Sequence, residues 1–410
     1  MCKVVFYTRA YNSEKYIRQT IESVLSQTEK DVRLHIRNNG STDSTGEIIR
    51  EYAKKDSRVT FQENKINGVL DEGQTTETPY IESEYVSFLD SDDYIEPNYV
   101  EEMYNVAKKI DADIVVCGTT MFMENNPSQK GTRIPPQICT VNMKDVNKDF
   151  IALYGSLRPF WGKLFKTEFY FKYEPQIRKD SKERKITNGL DTYFSLNFMK
   201  KCNAFASINK ALHNYRIRDK SAYHTNIDPY RIKVGEILFY EACAYLKQTE
   251  DLNIDNISFL IQVFWAHIKD LIELILLQQN ISSDKKLEFL ECVLKNELFC
   301  RYTSIWENVD IELFEFFGKC VEKAVEGDSE EKLQANREFY IYRLYETYKK
   351  IGKNEDEQLF LDIVSSLHSK NNVYMWGAWL LFRDYQNAPD WFLGFKNMSK
   401  ENIINIIKEV

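Results

Sequence analysis

The run Tyr85-Val86-Ser87-Phe88-Leu89-Asp90-Ser91-Asp92-Asp93 constrains this chain more than any other stretch. A short, β-prone apolar segment stops at three carboxylates within four positions, and no basic residue stands beside them in sequence. Like charges this close repel, and Asp is almost never buried unpaired. The cluster is therefore either splayed into water or gathered around a metal ion. A run that ends this way reads as a strand delivering charge to the mouth of a sheet.

The residues ahead of it support a sheet. Lys3 to Tyr7 reads as a strand, Ser13 as the cap of a helix whose apolar face combines Tyr16, Thr20 and Val24 with Ile17, Ile21 and Leu25. Val32 to Ile36 is a second strand, followed by the polar turn Asn38 to Asp43 and a helix through Tyr52. Val59 to Gln62 is a third strand, and the strand ending at Asp90 a fourth. Pro97 suits the first turn of a helix running to Lys109, and Ile114 to Cys117 supplies a further strand. Strands alternating with helices imply an α/β, mostly parallel sheet covered by helices, a Rossmann-like arrangement in which ligands bind beyond the carboxyl ends of the strands.

With 43% hydrophobic and 28% charged residues, the 410-residue chain has the make-up of a soluble globular protein with room for two domains. A net charge of -8 argues against a general nucleic-acid partner. The eight cysteines form no C-x-x-C pair and read as reduced packing residues of a cytoplasmic protein. The apolar run after Met1 ends at Thr8-Arg9, too soon for a secretory signal. Phe259 to Leu277 carries His267, Lys269, Asp270 and Glu273, so it reads as an amphipathic helix rather than a membrane span.

Several motifs agree in order and spacing with a known family. Ala10-Tyr11-Asn12 with Tyr16-Ile17, Ser23 to Thr28, Asn39-Gly40-Ser41-Thr42-Asp43, Phe88 to Asp93, Trp161 to Phe165, Gly189 to Phe194, and Tyr215-Arg216-Ile217-Arg218 together resemble the inverting family 2 glycosyltransferases of the GT-A fold. The resemblance covers about the first 225 residues. It implies a GT-A-like catalytic domain over residues 1–228, a nucleotide-sugar donor (a UDP-sugar foremost), Mn2+ or Mg2+, and transfer to an acceptor hydroxyl in polysaccharide or glycoconjugate synthesis.

The resemblance also assigns residues. Asp92 is the first metal ligand, with Asp93 and His213 as further ones; oxygen ligands suit Mg or Mn better than zinc. Donor contacts fall to Arg9, Tyr11, Asn39, Gln74, Asp90, Ser91, Arg216 and Arg218, and the acceptor side to Trp161 and Lys163. Asp191 is the candidate general base, because displacement with inversion needs a carboxylate to take the hydroxyl proton. Three positions depart from the family pattern: Asn39 replaces an acid that contacts the nucleotide base, Gln74 an Arg, and Leu190 an acid beside the base. Each candidate has a plain structural reading as well: the aspartates as helix-dipole partners, Asp191 as a helix N-terminal acid, Trp161 as core, His213 as packing.

Glu124 to Cys139, with its prolines, reads as a loop over the acceptor side. Arg178 to Lys185 reads as a charged loop, solvated or acting as a lid. Residues 229–410 show helical spacing and form an all-α C-terminal domain. Its aromatics, from Tyr340 to Trp391, suit a contact with glycan, a partner chain or a second subunit. The acceptor is then a glycan or a lipid- or protein-linked sugar, and the helical domain allows peripheral contact at the inner membrane face. Two other readings stand beside this one. A sugar-phosphate nucleotidyltransferase lacks support, because Thr8 to Asn12 is no Gly-rich loop. A degenerate domain that binds nucleotide, glycan or a partner without turnover fits the departures at Asn39, Gln74 and Leu190.

Overall fold

The computed structural model describes residues 1–65, 79–218, 228–276, 281–294, 296 and 298. The chain divides into two compact units, Met1–Ser221 with Tyr245–Asp251, and Ala222–Ala244 with Leu252–Val410.

The first unit is built on strands β1 (Cys2–Ala10), β2 (Val32–Asn39), β3 (Val59–Asn64), β4 (Ser83–Phe88), β5 (Tyr94–Ile95), β6 (Ile114–Met123), β7 (Asn126–Arg133), β8 (Ile138–Thr140), β9 (Lys163–Lys166) and β10 (Phe205–Ile217). Its helices are α1 (Ile17–Leu25), α2 (Thr45–Lys55), α3 (Tyr99–Ile110), α4 (Met143–Asn147), α5 (Phe150–Leu157), α6 (Thr167–Glu183) and α7 (Leu190–Met199). The sheet runs β3-β2-β1-β4-β9-β6-β10-β5, with β7 on β6 and β8 on β10. From β3 to β4 every pairing is parallel, as the alternation of elements requires. Beyond β4 it is mixed: β9 runs antiparallel to both β4 and β6, and β5 antiparallel to β10.

The parallel strands are covered on both faces, which is why β1 is buried along nearly its whole length. Val4, Phe6, Leu34 and Ile36 pack with Ile17, Ile21 and Val24 of α1 and with Val100, Met103 and Ala107 of α3. Two buried polar residues pin α1 to the segment between β4 and α3. The Thr20 hydroxyl reaches the carbonyls of Ser91 (3.0 Å) and Asp93 (2.7 Å). Gln27 donates to the carbonyl of Glu96 (2.8 Å) and accepts from the Val100 amide (2.9 Å). Placed in a dry core, such fully paired groups fix one arrangement.

Four expectations change. Ser13 does not cap α1 through its side chain; its carbonyl accepts from the amides of Tyr16 and Ile17, and its hydroxyl turns to Ser91. Pro97 lies one residue ahead of the N-cap Asn98 instead of inside the first turn of α3. Glu124 to Cys139 is not a loop: β7 folds back on β6 as an exposed edge strand, with a register shift at Phe122/Met123 beside Pro127, and edge pairing tolerates a proline there. Arg178 to Glu183 continues α6 past Pro175, held by buried Ile177 and Ser181 and by an ion pair from Arg178 to buried Glu174.

In the second unit α8 (Tyr230–Gln248) begins, followed by α9 (Ile254–Leu276) and α10 (Ser283–Leu294). A Cβ on Gly235 would lie 2.4 Å from the His267 ring, so glycine permits α8 and α9 to approach. Among the described residues no helix is long and apolar enough to cross a membrane. Gln74 and the aromatics from Tyr340 to Trp391 lie outside the described residues.

Candidate active site

β1, β2 and β4 end together, and beyond them opens a cavity of about 290 Å³. Strand ends supply Arg9, Arg37 and Asp90; the segment after α5 supplies Phe160 and Trp161; α6 supplies Tyr170, Arg178 and Lys182; α7 supplies Asp191 and Phe194. Arg9, Asp90, Trp161 and Asp191 are site residues expected from the sequence, and the fold brings these four into one cavity. Arg37 is a site residue that the sequence did not single out, while Arg178 and Lys182 belong to the stretch read as a charged loop or lid and reach the cavity from the end of α6. Arg37 had a signal, since it sits one strand-step before the polar turn at Asn38 and shares the face of Tyr7 and Arg9 only once the parallel register is known.

Asp191 is presented by the first turn of α7, whose preceding residue, Gly189, has φ +67°. That left-handed conformation favours glycine and sets the direction in which the helix starts. Asp191 is accessible at the cavity wall yet ringed by protein. Burial pushes its carboxyl above the usual range against the pull of Lys163, Arg9 and the Phe160 backbone. Asp90 faces the same space. Burial first, then the charges of Asp191 and Asp92, push it up to about 7, opposed by Arg9 and Arg218. The two carboxylates thus titrate as neighbours.

The charge cluster after β4 finds its cation within the chain. Arg218 Nη2 lies 2.6 Å from Asp92 Oδ2. Arg216 stacks its guanidinium between Tyr16 and Phe122, each ring centre 4.9 Å away, and donates to the Asp92 carbonyl (2.9 Å) and to Gln19 (2.7 Å). These arginines sit more than a hundred residues from the aspartates, which is why no partner stands beside the cluster in sequence. The Ser91 hydroxyl is buried against Ser13 at 2.7 Å.

Asp93 and His213 stand behind this surface, both about 1% exposed, with Asp93 Oδ2 and His213 Nε2 3.4 Å apart. Asp93 Oδ1 accepts from the Arg216 amide (2.9 Å). Burial raises Asp93, helped by Asp90 and Asp92, while burial and then Lys163 push His213 down to about 3. Trp161 stacks on His213 (4.5 Å, 9°) and on Tyr215 (5.3 Å, 21°), positioned by Gly162 at φ +68°.

Lys163, expected to meet a substrate hydroxyl or phosphate, is instead 1% exposed. Its ammonium donates to the carbonyls of Ser156 (3.1 Å) and Pro159, and burial lowers it to about 7. Tyr11 is exposed, and Asn39 is partly buried with its side-chain oxygen 3.4 Å from Asn64 Nδ2. Neither lines the cavity among the described residues. No three His, Cys, Asp or Glu side chains gather for a metal among the described residues.

Comparison with known proteins fits this geometry. Residues 7–170 match the family model Glycosyl transferase family 2. The chain is 30% identical over 226 residues to glycosyltransferase GlyA of Streptococcus pneumoniae, covering 53% of this chain and 31% of that protein. It is 35% identical over 162 residues to putative glycosyltransferase EpsH of Bacillus subtilis, covering 38% and 44%. The chain thus spans less than half the length of these two relatives. Among solved structures, TarS 1–349 of S. aureus aligns with TM-score 0.50 at 15% identity over 86% of this chain and 93% of that one, which shows a shared, GT-A-like fold.

Proposed function

We infer the activity from one premise: residues 7–170 are a family 2 glycosyltransferase domain. The chain then moves a sugar from a nucleotide-sugar donor to an acceptor hydroxyl with inversion, in polysaccharide or glycoconjugate synthesis. The observation that carries this reading is the meeting of Asp90 and Asp191 in one cavity beyond the parallel strand ends, with Asp92 and Arg218 beside it.

Asp191 takes the acceptor proton as the new bond forms. A carboxylate raised by burial is a better base near neutral pH than one in water, provided it is ionised. Donor nucleotide lies along Tyr11, Asn39 and Asp90. Arg218 is held at the surface by Asp92 and can exchange that carboxylate for the donor diphosphate, a charge-assisted partner of the same sign. Arg216, sandwiched and paired, holds the loop of Asp92 and Asp93 in place and does not need to leave it. Trp161 presents a flat face to a sugar ring, backed by the His213 ring.

A divalent ion, Mn2+ or Mg2+, fits this set when substrate oxygens complete its shell. Asp92 already carries a cation in Arg218, and Asp90 stands close by. Asp92 would hold the ion with Asp90 nearby, and its charge would offset that developing on the leaving diphosphate. Asp93 and His213, buried behind, serve as support for Asp92. The TarS fragment of similar fold is known in complex with UDP-GlcNAc, which supports a UDP-sugar as the first donor to try. Because Arg218 already neutralises Asp92, a domain that binds without turnover is the second reading.

Nucleotide release from a panel of nucleotide sugars, with Mn2+ or Mg2+ and with Asp92→Ala and Asp191→Asn beside the native chain, tests this. Release by the native chain alone supports transfer. Metal-dependent nucleotide binding with no release across the panel favours the binding domain.

A further inference from the structure

The parallel register places Arg9 directly beside Arg37 on neighbouring strands, and Arg37 beside Gln62 on the next. Like charges in such a pair are destabilising in isolation. Arg37 is taken out of water, 8% exposed with its Nη2 3.5 Å from Gln62 Oε1, while Arg9 stays exposed at the cavity. Burial, then Arg9 and Arg178, all weaken its hold on its proton. Facing this row across the cavity are Arg178 and Lys182, one turn apart on α6. Arg178 pairs with the carboxylate of Glu174, and Arg37 with Gln62. His35 adds no charge, because burial and then Arg37 lower it to about 4. Asp90 and Asp191 lie in the same cavity, so among the described lining residues four cationic side chains stand against two carboxylates.

A concave basic row of this kind concentrates positive potential where water is scarce, and guanidinium pairs are the groups that recognise carboxylate and phosphate. The rest of the wall is aromatic, from Tyr7, Phe88, Phe160 and Tyr170, and suits the flat apolar side of a sugar ring. We propose that this cavity recognises an anionic sugar unit, its carboxylate or phosphate held by Arg9, Arg37, Arg178 and Lys182. The proposal rests on the glycosyltransferase reading and narrows its substrate class. Two sources share the chemistry: the donor sugar, as a uronic acid, or the acceptor, as a sugar bearing carboxylate or phosphate.

Two measurements test it. In the first, nucleotide release is compared for matched neutral and uronate donors with a neutral acceptor, and for neutral, carboxylated and phosphorylated acceptors with a neutral donor. A kcat/KM preference for the anionic member of about tenfold or more in one arm is expected, and the arm identifies the source. Arg37→Gln and Lys182→Gln should each cut that ratio several-fold. Release from every donor with no anionic preference in either arm, or a ratio unmoved by both variants, overturns the proposal while leaving the transferase intact. In the second, glucuronate and inorganic phosphate are titrated into the native chain and both variants by calorimetry, with melting temperature recorded. Anion binding that raises the native melting temperature and fails in Arg37→Gln is expected. This arm reads even if no donor is turned over, a result that would instead sink the transferase reading. Binding of neither anion, or equal binding in the native chain and in Lys182→Gln, overturns the proposal. Lys182 is exposed, so that variant remains informative if Arg37→Gln does not fold.

Discussion

The parallel and mixed halves of the sheet use ionisable side chains in opposite ways. In β1, β2 and β4 the charges gather at strand ends, where Arg9, Arg37 and Asp90 border the cavity. Lys163, the first residue of β9, and His213, inside β10, are sealed. Lys163 is spent on backbone carbonyls, and His213 is closed between Trp161 and Asp93. A charged residue type is therefore no guide to contact with substrate. What packs over it decides whether it meets solvent: Lys163 starts β9 and is sealed, whereas Arg216, near the end of β10, and Arg218, just past it, meet Asp92.

The largest effect separating the halves is on turnover. Asp191→Asn should lower kcat by about 10²- to 10⁴-fold with an unchanged unfolding midpoint, because it removes a proton acceptor from an accessible wall without emptying a core. Lys163→Met should act the other way round, on stability, by leaving two buried carbonyls unpaired at a cost of about 1–3 kcal/mol. A Lys163→Met protein that folds normally but loses transfer would erase the contrast.

Next comes pH-dependent stability from the sealed pair. Unfolded, Asp93 and His213 titrate near 3.8 and 6.5; folded, the first is raised and the second lowered to about 3. Raising Asp93 makes stability fall as pH rises above 3.8 through its folded value, while lowering His213 makes stability fall as pH drops below 6.5 toward about 3, so the two contributions oppose each other where they overlap. Asp93→Asn should remove the alkaline limb. It should also bring the acid limb up to start near 6.5, since the lowered histidine is then uncompensated. Denaturant unfolding across pH reads both; an unaltered profile would mean that the two contributions do not oppose each other.

A smaller shift concerns rate. With Asp90 at about 7 beside Asp191, the acid limb of kcat/KM should reach toward neutrality, rising with pH as the two carboxyls ionise. Asp90→Asn removes the like charge and should move the limb to lower pH, measured as nucleotide release against pH. A limb that stays in place would assign it to a group outside the cavity.

Legibility from sequence divides along the same line. Alternating strands and helices, the apolar face of α1 and the strand that ends at the aspartates could be read because local periodicity and parallel order determine them. The insertion of β9 between β4 and β6 could not, since a short antiparallel strand leaves no periodic signature distinct from a parallel one. Nor could the partners of Asp92, because sequence distance hides a contact made across the sheet. The end of α6 reads as a loop because Arg178 to Lys185 is charged and polar, and only the burial of Glu174, Ile177 and Ser181 makes it a helix.

The finest test of the comparison is backbone strain at the turn that seats Trp161. Gly162 has φ +68°, and a Cβ there would meet Cys117 Sγ at 3.7 Å, His213 Cβ at 3.8 Å and Thr119 Oγ1 at 3.8 Å, all ordinary contacts. Gly162→Ala should thus cost only the left-handed conformation, about 1–2 kcal/mol in denaturant unfolding. Gly118→Ala, one strand away, offers the contrast: its φ carries no such constraint, but its Cβ would lie 2.8 Å from the Arg133 carbonyl and 2.9 Å from that of Lys210, so β6 must shift between β7 and β10. If Gly162→Ala proves the more damaging, the turn before β9 is held by more than its own torsion. The Trp161 stack on His213 is then the element that the mixed half of the sheet is built to hold still.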